Sequence, residues 1–282
     1  MSLALAGLMR PPAGLALDFS QPPGEPALVG ADSISWRVFR NPVSLFVGGV
    51  AAVLLELAEP SVCAGVWDHS SFRRDPGLRL RRTGFAAMIT VYGPRTAAEA
   101  MIARVVRMHG KVSGTDATGQ AYHANDPRLL DWVQATASFG FVEAYSRFAE
   151  PLSPAEKSTA FAEAAPAALL YGATGAPRSW PEWEALLART APTLTGTPVL
   201  TDFLDIMTQA PILPAPLRWL QRLLVRAAVE MTPPPVRTLR QLDGRGLRRG
   251  EERLVRLLGG AARHLPMGAL PPGQAARRVA AR

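Results

Sequence analysis

Apolar residues in this chain recur mainly at three- and four-residue steps, the period of a helix that buries one face. In "NDPRLLDWVQATASFGFVEAYSRF", Leu130, Val133, Ala137, Phe141, Ala144 and Phe148 follow such steps, which predicts one long helix with an inward stripe. Asp126 is its expected N-cap, and Pro127 takes the first helical position, where a missing N–H does no harm. The same kind of start is written at Ser153, Pro154 and Glu156, and at Ser179 or Trp180 before Pro181. "TAAEAMIARVVRMHGKV" offers Thr96 and, three residues on, Glu99, a capping box that predicts a helix start near 97. Strand signals are scarce, so the expected class is all-α. The proline-rich breaks of the last third, "APILPAP", "TPPP" and "HLPMGALPP", are too short to separate domains. One large helical domain is expected over 34–282, after a flexible Pro/Gly-rich arm over 1–33.

Composition changes this picture little. Hydrophobic residues make up 48% and charged residues 19%, enough apolar material for a sizeable core. The strongest apolar run, "VSLFVGGVAAVLLELAEP", is free of charge only from Val43 to Leu55, short of the roughly 20 residues that cross a bilayer. It reads as a buried core helix. Cys63 stands alone, which excludes an intramolecular disulfide and a cysteine-based zinc site. The N-terminal stretch has no basic region before its apolar residues, so it does not read as a signal peptide, and the expected location is the cytoplasm.

The net charge of +8 invites a nucleic-acid partner, since a basic face is the footprint of phosphate binding. Its distribution argues otherwise. The arginines concentrate in "RRDPGLRLRR" and the C-terminal third, without the interleaved aromatics that stack bases. No nucleic-acid partner is expected, and a basic nucleic-acid or membrane-surface binder is the weakest of three functional readings.

Chemistry centres on "RMHGKVSG". Ile102, Val105, His109 and Val112 share one helical stripe, with Arg104, Arg107 and Lys111 on a neighbouring one. The pattern suits a haem pocket, in which His109 offers the iron a neutral nitrogen, aliphatics cover the macrocycle and cations such as Arg107 meet its propionates. From spacing alone, a core histidine beside a solvated basic face is the favoured reading. Phosphate loops, H-E-x-x-H and G-x-S-x-G are missing. Asp68, His69 and Ser70 are sequence neighbours, which point away from one another on a helix and so do not make a hydrolytic triad.

Four motifs in order, R-x-x-R-T at 79–83, H-x-x-V-x-G at 109–114, Y-x-A-N-D-P at 122–127 and W-V-x-A-T at 132–136, give the chain a family resemblance. Together with "LSPAE" and the tail "LPMGALPPGQAARRVAAR", they make it similar to bacterial members of the MpaB and latex-clearing-protein (rubber oxygenase) family, from about Ile34 to the end. The resemblance implies an all-α fold with a globin-like core holding haem b. It also implies a dioxygenase-like reaction between dioxygen and an apolar, isoprenoid or otherwise unsaturated small molecule. Carried over by position, His109 is the proximal iron ligand, and Arg79, Arg82 and Thr83 lie beside the haem, with Arg79 as a cofactor contact. Tyr122, Asn125, Asp126 and Trp132 take structural positions. Relatives carry histidines where this chain has Glu59 and Gln134. Either replacement is a candidate for proton management, or both mark an inert member that keeps the fold as a ligand- or partner-binding module. No nicotinamide or flavin motif is visible, which fits a dioxygenase better than a reductase-dependent monooxygenase.

Overall fold

The structure, a computed structural model, describes residues 17–69 and 74–281. Among these residues are thirteen α-helices and two short strands. In chain order they are α1 (Ile34–Phe39), α2 (Pro42–Ala58), α3 (Pro60–His69), α4 (Pro76–Tyr92), α5 (Arg95–His109), β1 (Ser113–Thr115), β2 (Ala121–His123), α6 (Pro127–Phe148) and α7 (Pro154–Tyr171). Then follow α8 (Trp180–Thr190), α9 (Pro198–Gln209), α10 (Arg218–Met231), α11 (Pro234–Arg237), α12 (Glu251–Ala262) and α13 (Pro271–Ala280). The all-α expectation is met.

Helix starts follow the local chemistry. Asp126 accepts from the Arg128 N–H at 2.9 Å, and Ser153 and Glu156 close a reciprocal capping box. Ser179 caps α8 through the Glu182 N–H at 3.3 Å. Asn41 caps α2 with its oxygen and donates its Nδ2 to the Gly259 carbonyl at 2.8 Å, so one amide both starts a helix and ties it to α12.

The core is built on α2 and α6. The apolar run of α2 is a buried core helix, as its length implied, with Val43, Val47, Ala51, Leu54 and Leu55 almost fully enclosed. The two helices cross at glycines: a β-carbon at Gly48 would lie 2.6 Å from the Gly140 carbonyl oxygen, and one at Gly140 would meet the Gly48 carbonyl. The Trp132 indole donates to the Leu55 carbonyl at 3.2 Å and stacks on Trp183 of α8. Around this pair stand α10, α12 and α9, while α3 turns back from α2. No single described helix is long and apolar enough to cross a membrane; α2 and α3 pass the test only as a pair bent by 110°.

Three expectations need correction. The segment 17–33 is not a free arm, because Phe19, Ala27, Leu28 and Val29 are buried against α4 and α13; residues 1–16 lie outside the described residues. The helix expected near 97 begins at Arg95 and forms no Thr96–Glu99 box. The Thr96 N–H is donated to Glu25 at 2.7 Å, so a carboxylate from the N-terminal segment takes the capping place and is held below its ordinary pKa by that bond. Finally, α6 buries more than its predicted stripe. Trp132, Ala135, Phe139 and Tyr145 are buried as well, because neighbours cover α6 on several sides, whereas Val133, Ala137 and Phe141 of the stripe are only half-buried.

Arg278 in the tail fastens the periphery. It is 1% exposed and donates to the Glu25 carbonyl at 2.8 Å, to Phe19 at 2.6 Å and to Tyr92 at 2.8 Å. Arg278→Met strands three acceptors, two of them buried, and is expected to cost about 2 kcal/mol, read as a lowered midpoint in thermal unfolding. Arg278→Lys, with one compact donor group in place of a fork, should not restore it.

Candidate functional site

Three parts of the fold converge beside the C-terminal end of α5. His109 closes α5 and is half-buried, with Gly110 as the following cap. Burial pushes its pKa down, and the nearby charges of Arg79 and His123 push the same way. The imidazole is therefore held neutral, the state in which it can ligate a metal. Its Nδ1 is buried and has no hydrogen-bond partner.

The hairpin that follows holds this end of the helix in place. The β1 and β2 strands pair antiparallel, Ser113 opposite His123, and the Ala124 N–H returns to the Val112 carbonyl at 2.9 Å. Asp116 holds the turn by accepting from Thr118 and Gln120, and it anchors the hairpin to α3 through the Ser61 hydroxyl at 2.6 Å. Asn125 then donates its backbone N–H to His123 Nδ1 and its Nδ2 to the Val106 carbonyl, both at 3.1 Å. Its Oδ1, like His109 Nδ1, is buried without a partner. The position expected to be merely structural thus lies over the turn that carries His109.

Arg79 comes from α4, where no side chain in the first half of the helix is fully buried. It is half-buried, bonds the Thr83 hydroxyl one turn on, and Thr83 donates back to the Arg79 carbonyl at 3.0 Å. Burial and the charge of Arg82 lower the Arg79 pKa, while the charge of Glu56 opposes them. Glu56, in the last turns of α2, is the residue the sequence reading missed. Burial pushes its carboxyl up to about 7, against the Arg79 charge and a hydrogen bond from Thr136 of α6. Part of its surface is nonetheless accessible. The charge of Arg79 acts on both Glu56 and His109, which links α2, α4 and α5 electrostatically.

Residues 36–264 match the family model described as the ER-bound oxygenase mpaB/B'/rubber oxygenase catalytic domain. The chain belongs to this family. No curated protein and no solved structure matches it significantly. Membership of an oxygenase family supports an oxygenase role for the chain.

Glu59 is committed elsewhere. Only 3% exposed, it pairs with Arg128 at 2.9 Å and caps α3 by accepting from the Val62 N–H at 2.8 Å, which accounts for its burial without chemistry. Gln134 is half-buried two residues from Thr136, and among the described residues no hydrogen bond joins it to the cluster. Arg82 and Thr83 are exposed beside Arg79, and Arg104, Arg107 and Lys111 form an exposed basic stripe. Ser70 lies outside the described residues. No group of three His, Cys, Asp or Glu side chains among the described residues is arranged to hold a metal ion. An iron held at His109 would bring its other ligands with it, as the iron of a haem does.

Proposed function

We propose that this family member is a haem-dependent oxygenase that joins dioxygen to an apolar, unsaturated small molecule. The observation that carries the proposal is His109: a half-buried imidazole kept neutral, with a buried and unpartnered ring nitrogen, next to a guanidinium. A neutral donor nitrogen and neighbouring cations fit a haem with its anionic propionates. His109 would hold the iron, with Arg79 and Arg82 available for the propionate charge. When bound, the haem supplies the place where dioxygen is activated.

The chain's own residues do the rest. Asn125 steadies the turn that carries His109 through its Nδ2 bond to the Val106 carbonyl, and His109 Nδ1 stays without a protein partner among the described residues. Thr83 fixes Arg79 through their mutual bonds. Glu56, with a pKa raised to about 7, can hold a proton or release one near neutral pH, a property that suits a general acid or base. Proton management therefore passes from Glu59 to Glu56 in this reading.

The test is an absorption spectrum after expression with haem supplementation. Wild type is expected to show a Soret band, and His109→Ala to lose or shift it. A wild type that takes up no haem would overturn the proposal and leave a ligand- or partner-binding helical module as the reading.

A further inference from the structure

Helix α12 is well seated on one side and unusually open on the other. Val255, Leu258, Gly259 and Ala262 are buried, and a β-carbon at Gly259 would run into the Phe148 carbonyl at the end of α6. Both acids of the helix are engaged toward neighbouring helices. Glu251 receives Arg226 of α10 at 2.6 Å, and Glu252 receives Arg147 of α6 at 3.3 Å and Arg256 at 2.8 Å.

The outward face is left with Arg253, Leu254, Leu257, Ala261 and His264, all exposed, and Arg248 and Arg249 are exposed just before the helix. Leu257 is 70% exposed and Leu254 39%. Arg253 makes no ion pair among the described residues. On the adjoining helix α10, Trp219 is 46% exposed beside exposed Arg218 and Arg222. Trp219 lies two turns back on the same stripe as Arg226, the residue that meets the start of α12. Asp243 is an exposed carboxylate in the preceding turn, outside the helix face.

We propose that the outer face of α12, with the Trp219 edge of α10, docks on an anionic lipid bilayer surface. A single exposed leucine is ordinary, but two on one helix face among unneutralised arginines make the pattern of an interfacial helix. The leucines enter the acyl boundary while the guanidiniums reach back to lipid phosphates, and an indole is favoured at headgroup depth. Charge selects this occupant over others. A second copy of the chain, paired about a two-fold axis, would bring Arg253 and Arg256 against their own images. Duplex nucleic acid would meet the arginines and leave Leu254 and Leu257 in water. An anionic bilayer satisfies both kinds of side chain. The inference stands apart from the haem reading, although a lipid phase is also where an apolar substrate would be found.

Flotation of the full chain with vesicles of phosphatidylcholine, alone or with phosphatidylglycerol, tests it. Wild type is expected to float with the anionic vesicles, to stay behind with the neutral ones and to be released by salt. Leu254→Ser with Leu257→Ser should weaken partitioning about tenfold, and Arg253→Glu by a similar factor, with the circular dichroism melt and any Soret band unchanged. Failure of wild type to float overturns the proposal, as does equal flotation of wild type and the leucine variant. A wild-type dimer that the leucine substitutions convert to monomer would assign the face to a second copy instead.

Discussion

Gly48→Ala is expected to lower stability by about 3 kcal/mol, and Gly48→Leu to leave no folded protein. The reason is where the added carbon goes. It would lie 2.6 Å from the Gly140 carbonyl oxygen and 2.8 Å from the Phe141 α-carbon, and both belong to the facing backbone rather than to a side chain that can swing away. Relief requires α2 and α6 to separate, and the whole core is packed around that pair. Gly84 supplies the contrast. It sits within α4 with nothing within 4 Å of an added β-carbon, so Gly84→Ala should stabilise by roughly 0.5–1 kcal/mol through helix propensity alone. Thermal unfolding of the two alanine variants should therefore shift in opposite directions. Equal shifts would show that the glycine crossing is not what spaces the central helices.

The second large effect is a pH dependence set by Glu56. Its native pKa is raised from 4.5 to about 7, mainly by burial. Between these values the folded chain keeps a proton that the unfolded chain has released, so stability falls as pH rises through that window and levels off above it. At 1.36 kcal/mol per unit, the penalty near pH 8 is about 3 kcal/mol. Glu56→Gln removes the titration. In haem-free protein it should raise the unfolding midpoint by several degrees near pH 8 and change little near pH 4, where both states are protonated. Glu59→Gln should do the opposite at neutral pH. It breaks the Arg128 pair and weakens the α3 cap, and so it destabilises. A midpoint for Glu56→Gln that tracks wild type at every pH would mean that the carboxyl is ordinarily solvated.

The contrast between these two carboxyls shows what could be read along the chain. Caps are local, so Asp126, Ser153 and Ser179 were legible from two or three neighbouring letters. Glu59 before Pro60 stands at a cap of the same local kind, though along the chain it drew notice only as a replacement for a family histidine. Glu56 gives no such signal. Its importance comes from Arg79 and Thr136, which approach from α4 and α6, and no local pattern encodes that meeting. Thr96 fails for the same reason, because its N–H is met by Glu25 from 71 positions away. His109, Arg79 and Thr83 became candidates only through the family motifs, since spacing alone favoured a core residue at His109. The Gly48–Gly140 crossing could not be read either, since each glycine explains itself only beside the other.

The clasp around Arg278 sets an order in time. Its acceptors at Phe19 and Glu25 leave the ribosome more than 250 residues ahead of their donor. During synthesis, the segment ahead of α1 must wait unfastened while the α2–α6 core collapses, since the latch closes only once α13 has been made.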